Sequence, residues 1–165
     1  MAVEDKYINS AVEAGNVAAA YKQQGSGVIV MTQTFEVAAA DDDGSVYRVF
    51  PDVNPHLVPI KVEVVNDAIT GGTSFDFGLY NPNSGAVVNK NVLASAVSMA
   101  SARAVGSEGS LLSAVNQADL GKTLFDLVSG AIGALKGGYD LALTANTVGT
   151  VAGTITVTAY FVQGF

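Results

Sequence analysis

A chain of 165 residues, 49% hydrophobic and only 14% charged, can bury one real core but has few charges with which to solvate a free surface. Its net charge of −7, with eight scattered basic residues and no basic block, argues against a phosphate-binding surface of the nucleic-acid type. With no cysteine, disulfides, thiolate catalysis and zinc–thiolate sites are excluded as well.

The shortage of charge suggests a surface covered by partners, although abundant alanine and 18 glycines also inflate the apolar fraction. An alanine-rich monomer is the plainer alternative. Met1–Lys6 lacks the basic start and apolar core of a signal peptide. Apolar stretches are broken by Gly, Ser and Asn well short of the roughly 20 residues of a membrane span.

Residues 1–25 read as an N-terminal arm, extended or partly helical. Val3, Tyr7 and Ala11 fit a helical stripe that Gly15 interrupts. Tyr7, Ile8, Val12, Val17 and Tyr21 are the large groups it could lay on a neighbour, and they form the candidate partner interface. A disordered leader is the alternative.

Residues 26–165 read as one β-domain. Val28–Val37 is rich in Val, Ile, Thr and Phe and suits a strand. Asp41-Asp42-Asp43-Gly44 signals a solvated hairpin end; a calcium loop would alternate its ligands and close with a distant glutamate. Ser45–Phe50 suits a second strand, which Pro51 and Pro55 should end.

Pro59–Tyr80 reads as a hairpin-like pair. Ile60, Val62 and Val64 alternate with Lys61 and Glu63, and Phe75, Phe77 and Leu79 with Asp76 and Tyr80, so each strand should have one buried and one wet face. Asn66–Thr73 supplies the connection, and Asn81-Pro82-Asn83-Ser84-Gly85 a further turn.

Residues 86–136 change texture. Val92, Leu93, Ala96, Val97 and Ala100 have helical spacing, as do Leu111, Leu112, Val115 and Ala118, continuing to Leu124, Phe125 and Val128. Glycines limit each helix, so a partly helical, irregular excursion is expected between strands. Tyr139–Ala145 and Thr154–Val162 then alternate cleanly. In the second, Ile155, Val157, Ala159 and Phe161 face one side, and Thr154, Thr156, Thr158 and Tyr160 the other. The expected fold is mainly β, an antiparallel two-sheet sandwich of the jelly-roll type.

Reactive constellations are sparse. His56 is the one histidine and sits in a proline-flanked turn without a nucleophile motif. Gly121-Lys122-Thr123 resembles the end of a phosphate loop, but Asn116 stands where its first glycine belongs. Asp76 and Asp140 could meet, yet each occupies a position expected to be wet, and no tryptophan is present to build a sugar subsite. No enzyme, metal or cofactor is expected.

Leu57–Asp67 followed by Thr70–Tyr80, and later Lys136–Thr147 with Gly153-Thr154-Ile155, resemble segments of head decoration (cement) proteins of tailed bacteriophages. The resemblance covers roughly residues 45–165. It implies a jelly-roll-like sandwich on the outer surface of the virion capsid, made in the host bacterial cytoplasm. Its implied partners are the major capsid protein and other copies of itself, as a homodimer or homotrimer, with no nucleic acid and no membrane. A host-attachment or carbohydrate-binding sandwich of the head-fibre kind would instead need exposed aromatics, for which Tyr47, Tyr80, Tyr139 and Tyr160 are the candidates. A tail-tube subunit is a third reading.

Overall fold

The computed structural model of the chain describes residues 5–7, 27–129 and 137–164. The strands are β1 (Asp5–Tyr7), β2 (Ile29–Val37), β3 (Val46–Val53), β4 (Leu57–Asn66), β5 (Ser74–Tyr80), β6 (Val87–Val97), β7 (Gly109–Ser110), β8 (Tyr139–Thr147) and β9 (Gly153–Gln163). One sheet has the order β1-β3-β8-β5-β6 and the other β2-β9-β4-β7.

The pairing is nested: β5 with β6, β4 with β7, β3 with β8 and β2 with β9, all antiparallel. The chain is thus one long antiparallel ribbon, folded at the β5–β6 turn and rolled so that successive pairs fall in opposite sheets. That is the jelly-roll form of the sandwich, in agreement with the fold class read from the sequence. β1 adds to the free edge of β3 in parallel, Asp5 to Tyr7 lying against Val46 to Arg48.

The strands form because their inward positions are apolar. Phe35, Val62, Val64, Ile155, Val157 and Phe161 of one sheet meet Tyr47, Phe75, Phe77, Leu79, Leu141 and Leu143 of the other, as two half-buried sheets require. Ile69, Met99, Leu111 and Leu124, carried by the connections, close the ends of the core.

Several expectations are corrected. Pro59–Tyr80 is not a hairpin: β4 and β5 belong to opposite sheets, and residues 67–73 cross between them. Asp41–Gly44 likewise links β2 in one sheet to β3 in the other rather than closing a hairpin. β3 runs through Pro51 to Val53, because register shifts between Arg48 and Val53 leave the proline outside a regular ladder. A shift between Pro59 and Lys61 turns Ile60 outward, half exposed, while Val62 and Val64 stay inside.

The helix expected over Val92–Ala100 is strand β6. Three register shifts against β5 break its alternation, so neighbours Leu93 and Ala94 are both buried, and a broken period of two imitates a helical stripe. Between β7 and residue 129 the excursion is irregular as expected, and its helical pieces are a 3-10 turn at Gln117–Asp119 and one α-helical turn, α1 (Leu124–Leu127), capped by Thr123.

Candidate interaction surface

The outward faces of the two sheets differ. In the first sheet, core-facing residues alternate with Arg48 on β3, Asp76, Gly78 and Tyr80 on β5, and Asp140, Ala142 and Thr144 on β8. All of these outward residues are buried. The face is sealed partly by β6, whose backbone at Asn89 and Lys90 lies over Gly78. A Cβ at Gly78 would stand 2.1 Å from the Asn89 carbonyl oxygen. Lys90 Nζ then reaches over both strands, 3.7 Å from Asp76 and donating to Asn146 Oδ1 at 2.8 Å.

Under this cover lies an ion pair. Arg48 Nη1 donates to Asp140 Oδ2 at 2.9 Å, and Nη2 to the Gly85 carbonyl at 3.1 Å. The guanidinium carbon is 5.2 Å from the centre of the Tyr80 ring, a cation–π distance. Asp140 Oδ1 accepts from the Asp52 backbone N–H at 2.9 Å. Asp52 in turn holds the chain ahead of β8 by accepting from the Gly138 N–H at 2.7 Å. Tyr80 and Thr144 share a hydroxyl hydrogen bond of 2.5 Å. Burial pushes the Asp140 carboxyl above the usual range, while the Asp52 N–H and Arg48 pull it back down.

Asp76 and Asp140, expected on wet faces, are therefore on one sealed face, and each is held by a different cation. Asp76 also accepts from the Ala96 N–H at 2.9 Å, fixing the bulged end of β6. Sequence reasoning missed Arg48. Its signal was present: lone charges inside the apolar runs Val46–Phe50 and Tyr139–Ala145 suit a strand buried on both faces, where charges must pair.

Other expected residues find structural places. Asp41 is buried and accepts from Tyr47 Oη at 2.6 Å and from the Ala38 N–H at 3.0 Å. Asp43 accepts from the Val148 N–H at 2.9 Å. Among the described residues no group of His, Cys, Asp or Glu is placed to hold a metal ion. His56 lies in an exposed turn, its N–H donating to Asn54 Oδ1. Gly121 and Lys122 form the turn ahead of α1 rather than part of a helix, with Lys122 bonded to Asp119.

Of the aromatics a sugar site would need, Tyr47, Tyr80 and Tyr139 are buried, and Tyr160 is partly exposed. A cleft of about 310 Å³ beside Asp52 and Gly138 offers one carboxylate, already engaged.

The second sheet is open. Its outward face carries Val30, Thr32, Thr34 and Glu36 on β2, Thr154, Thr156, Thr158 and Tyr160 on β9, and Lys61, Glu63 and Val65 on β4. Thr32 bonds Thr158 at 3.2 Å and Thr34 bonds Thr156 at 2.8 Å, forming a threonine ladder. Lys61 sits 5.8 Å above the Tyr160 ring, and its hydrogen bond to Glu63 raises its pKa.

Of the arm residues, Tyr7 falls within β1, its backbone opposite Arg48. Ile8, Val12, Val17 and Tyr21 lie outside the described residues.

The geometry defines a jelly-roll domain with one sealed and one open sheet. No protein-family profile and no curated protein matches the chain. Two solved structures resemble it. A chain of the capsid of Ralstonia phage GP4 matches with a TM-score of 0.50 and 15% identity, over 87% of this chain and 89% of that one. A chain of the cyanophage Pam1 capsid asymmetric unit matches with a TM-score of 0.48 and 14% identity, over 84% and 86%. At such identity the likeness to the GP4 chain is one of fold.

Proposed function

We propose that this chain is a structural protein of a tailed-phage virion: a head decoration, or cement, protein on the outer capsid surface that stabilises contacts between major capsid proteins. The observation that carries the reading is the fold likeness to a chain of the Ralstonia phage GP4 capsid, which extends over most of both chains. The layout is compatible. Arg48, Asp140, Asp76 and Lys90 of the first sheet are engaged in internal pairs, while the threonine face and the strand edges of the second sheet offer surface for contact. The arm, through Tyr7, Ile8, Val12, Val17 and Tyr21, would lie along neighbouring subunits. Many copies on one shell would add avidity to a modest single contact.

The protein would be made in the host bacterial cytoplasm, associate with itself, and work by adhesion without catalysis, nucleic acid or membrane. Sedimentation with undecorated capsids of its own phage tests the reading. The chain should pellet with them and raise the temperature at which they release DNA. A chain that stays in the supernatant overturns it. Deleting the arm, residues 1–25, should weaken pelleting; because this also removes β1 from the edge of β3, thermal unfolding must show that the remaining domain is still folded.

A further inference from the structure

Among the described strands, three sheet margins are blunted. β3 is covered by β1, itself only three residues. β7 has two residues. β6 is bulged three times and carries Lys90. The fourth, β2, is nine residues long and pairs with β9 residue for residue without a shift. It contains no proline, lysine or arginine, and its one charge, Glu36, lies near its end. Val28 just ahead of it and Val30 within it are more than half exposed. A long, straight, apolar edge is what soluble proteins avoid leaving open, because its free N–H and C=O groups template another strand.

We propose that β2 pairs antiparallel with β2 of a second copy about a two-fold axis through Gln33, joining two four-stranded sheets into one of eight. The register follows from the sequence. An axis normal to the sheet keeps both cores on one side only if it passes through a residue, and Gln33 is the residue that pairs all nine. Inward, Ile29 then meets the partner's Val37, and Met31 meets the partner's Phe35. Outward, Thr32 meets the partner's Thr34, continuing the rows already made by Thr32–Thr158 and Thr34–Thr156. Val30 is covered by the stem of the partner's Glu36. The two Glu36 carboxylates stand six strand positions apart, roughly 20 Å, beyond the screening length at physiological salt. The contact is isologous and closes at two copies. It holds whether or not the chain binds capsids.

The test is light scattering on the full chain during size exclusion. The wild type should run at twice its 16.8 kDa. Gln33 is half buried at the sheet margin, so a charge there can reach solvent in the monomer but faces its own copy in the dimer. Gln33→Lys and Gln33→Glu should each weaken dimerisation at least tenfold, with thermal unfolding showing an intact fold. An equimolar mixture of the two should restore the two-copy species. A wild type that is monomeric up to about 1 mM, the weak end of specific association, overturns the proposal, as does any other stoichiometry. So does a Gln33→Lys dimer of unchanged affinity, or a mixture no tighter than either variant alone.

Discussion

Arg48 and Asp140 are 1% and 0% exposed, so neither charge is screened by water, and removing either partner is the sharpest perturbation the structure offers. The two removals are not equivalent. Asp140→Asn leaves the guanidinium without its carboxylate, and arginine cannot shed its proton. Breaking a buried pair in this way costs about 3–5 kcal/mol, and the cost should be nearly constant with pH.

Arg48→Met leaves a carboxylate that can neutralise itself by taking up a proton. Burial already raises the Asp140 pKa, and Arg48 is one of the groups opposing that rise, so without it the folded value climbs further. A carboxyl whose folded pKa exceeds its unfolded value binds more protons in the native state. Stability is then greatest below the ordinary carboxylate range and falls as pH rises towards the folded pKa, by at most about 1.4 kcal/mol per pH unit. Asp140 is raised in the wild type as well, so between about pH 4 and pH 6 Arg48→Met should lose more stability than the wild type does, by no more than about 2 kcal/mol.

The double variant Arg48→Met/Asp140→Asn buries no charge and keeps an acceptor for the Asp52 N–H; it should recover part of the loss, with a coupling energy of about 2 kcal/mol or more. Urea unfolding followed by circular dichroism across this pH range reads all four proteins. A flat pH profile for Arg48→Met relative to the wild type, or a double variant equal to the sum of the singles, would refute the argument.

Four further outcomes follow from local geometry. Gly78→Ala puts a methyl 2.1 Å from the Asn89 carbonyl oxygen and 2.4 Å from the Lys90 carbonyl carbon; both are backbone atoms, so β6 must move and stability should fall by about 1–3 kcal/mol. Gly27→Ala, which meets nothing within 4 Å, should stay within about 0.5 kcal/mol in the same thermal melt. Tyr47→Phe keeps the ring stacked on Phe35 but removes the donor to Asp41; chemical denaturation should show a loss of about 1.5–3 kcal/mol, the range for hydrogen bonds to charged groups. Thr123→Ala deletes the cap whose hydroxyl accepts from the Asp126 N–H and donates to its carboxylate; it should cost about 1 kcal/mol, and hydrogen exchange should show the loss confined to α1 and its neighbours.

What the sequence made legible follows the regularity of each strand. β9 pairs with β2 without a shift, so its alternation survives intact and could be read directly. In β8 the outward alternates Asp140, Ala142 and Thr144 are buried too, yet Tyr139, Leu141 and Leu143 still marked the core face. β4 and β6 have the same chemistry broken by bulges, and a bulge moves later side chains to the opposite face. Hence Ile60 was assigned inward and β6 was read as helix. The rolled topology was not legible for another reason. Asp, Asn and Gly serve a hairpin and a crossing between sheets equally well, so Asp41–Gly44 and Asn66–Thr73 looked like hairpin turns. The Arg48–Asp140 pair joins positions 92 residues apart, and only the nested pairing of β3 with β8 brings them together.

The same topology explains why the two sheets have different surfaces. β6 follows β5 through the tight turn at residues 81–86, where Asn81 Oδ1 accepts from the Asn83 and Ser84 N–H groups. It then needs extra residues to return across Gly78, and those bulges are what cover the outer face of β5 and β8. β9, by contrast, runs straight between β2 and β4 with its threonines partly exposed, residues 102–104 lying beside Thr154 and Thr156 at one end. A small side chain suits each case differently. At Gly78 its absence admits a backbone, whereas at the threonines a branched, hydroxyl-bearing side chain keeps the strand extended while tolerating either water or a docked surface. If the threonine face is a contact surface, replacing Thr32 and Thr158 with lysine should leave folding intact and weaken binding to capsids. Equal pelleting of that variant and the wild type would move the docking surface elsewhere on the domain.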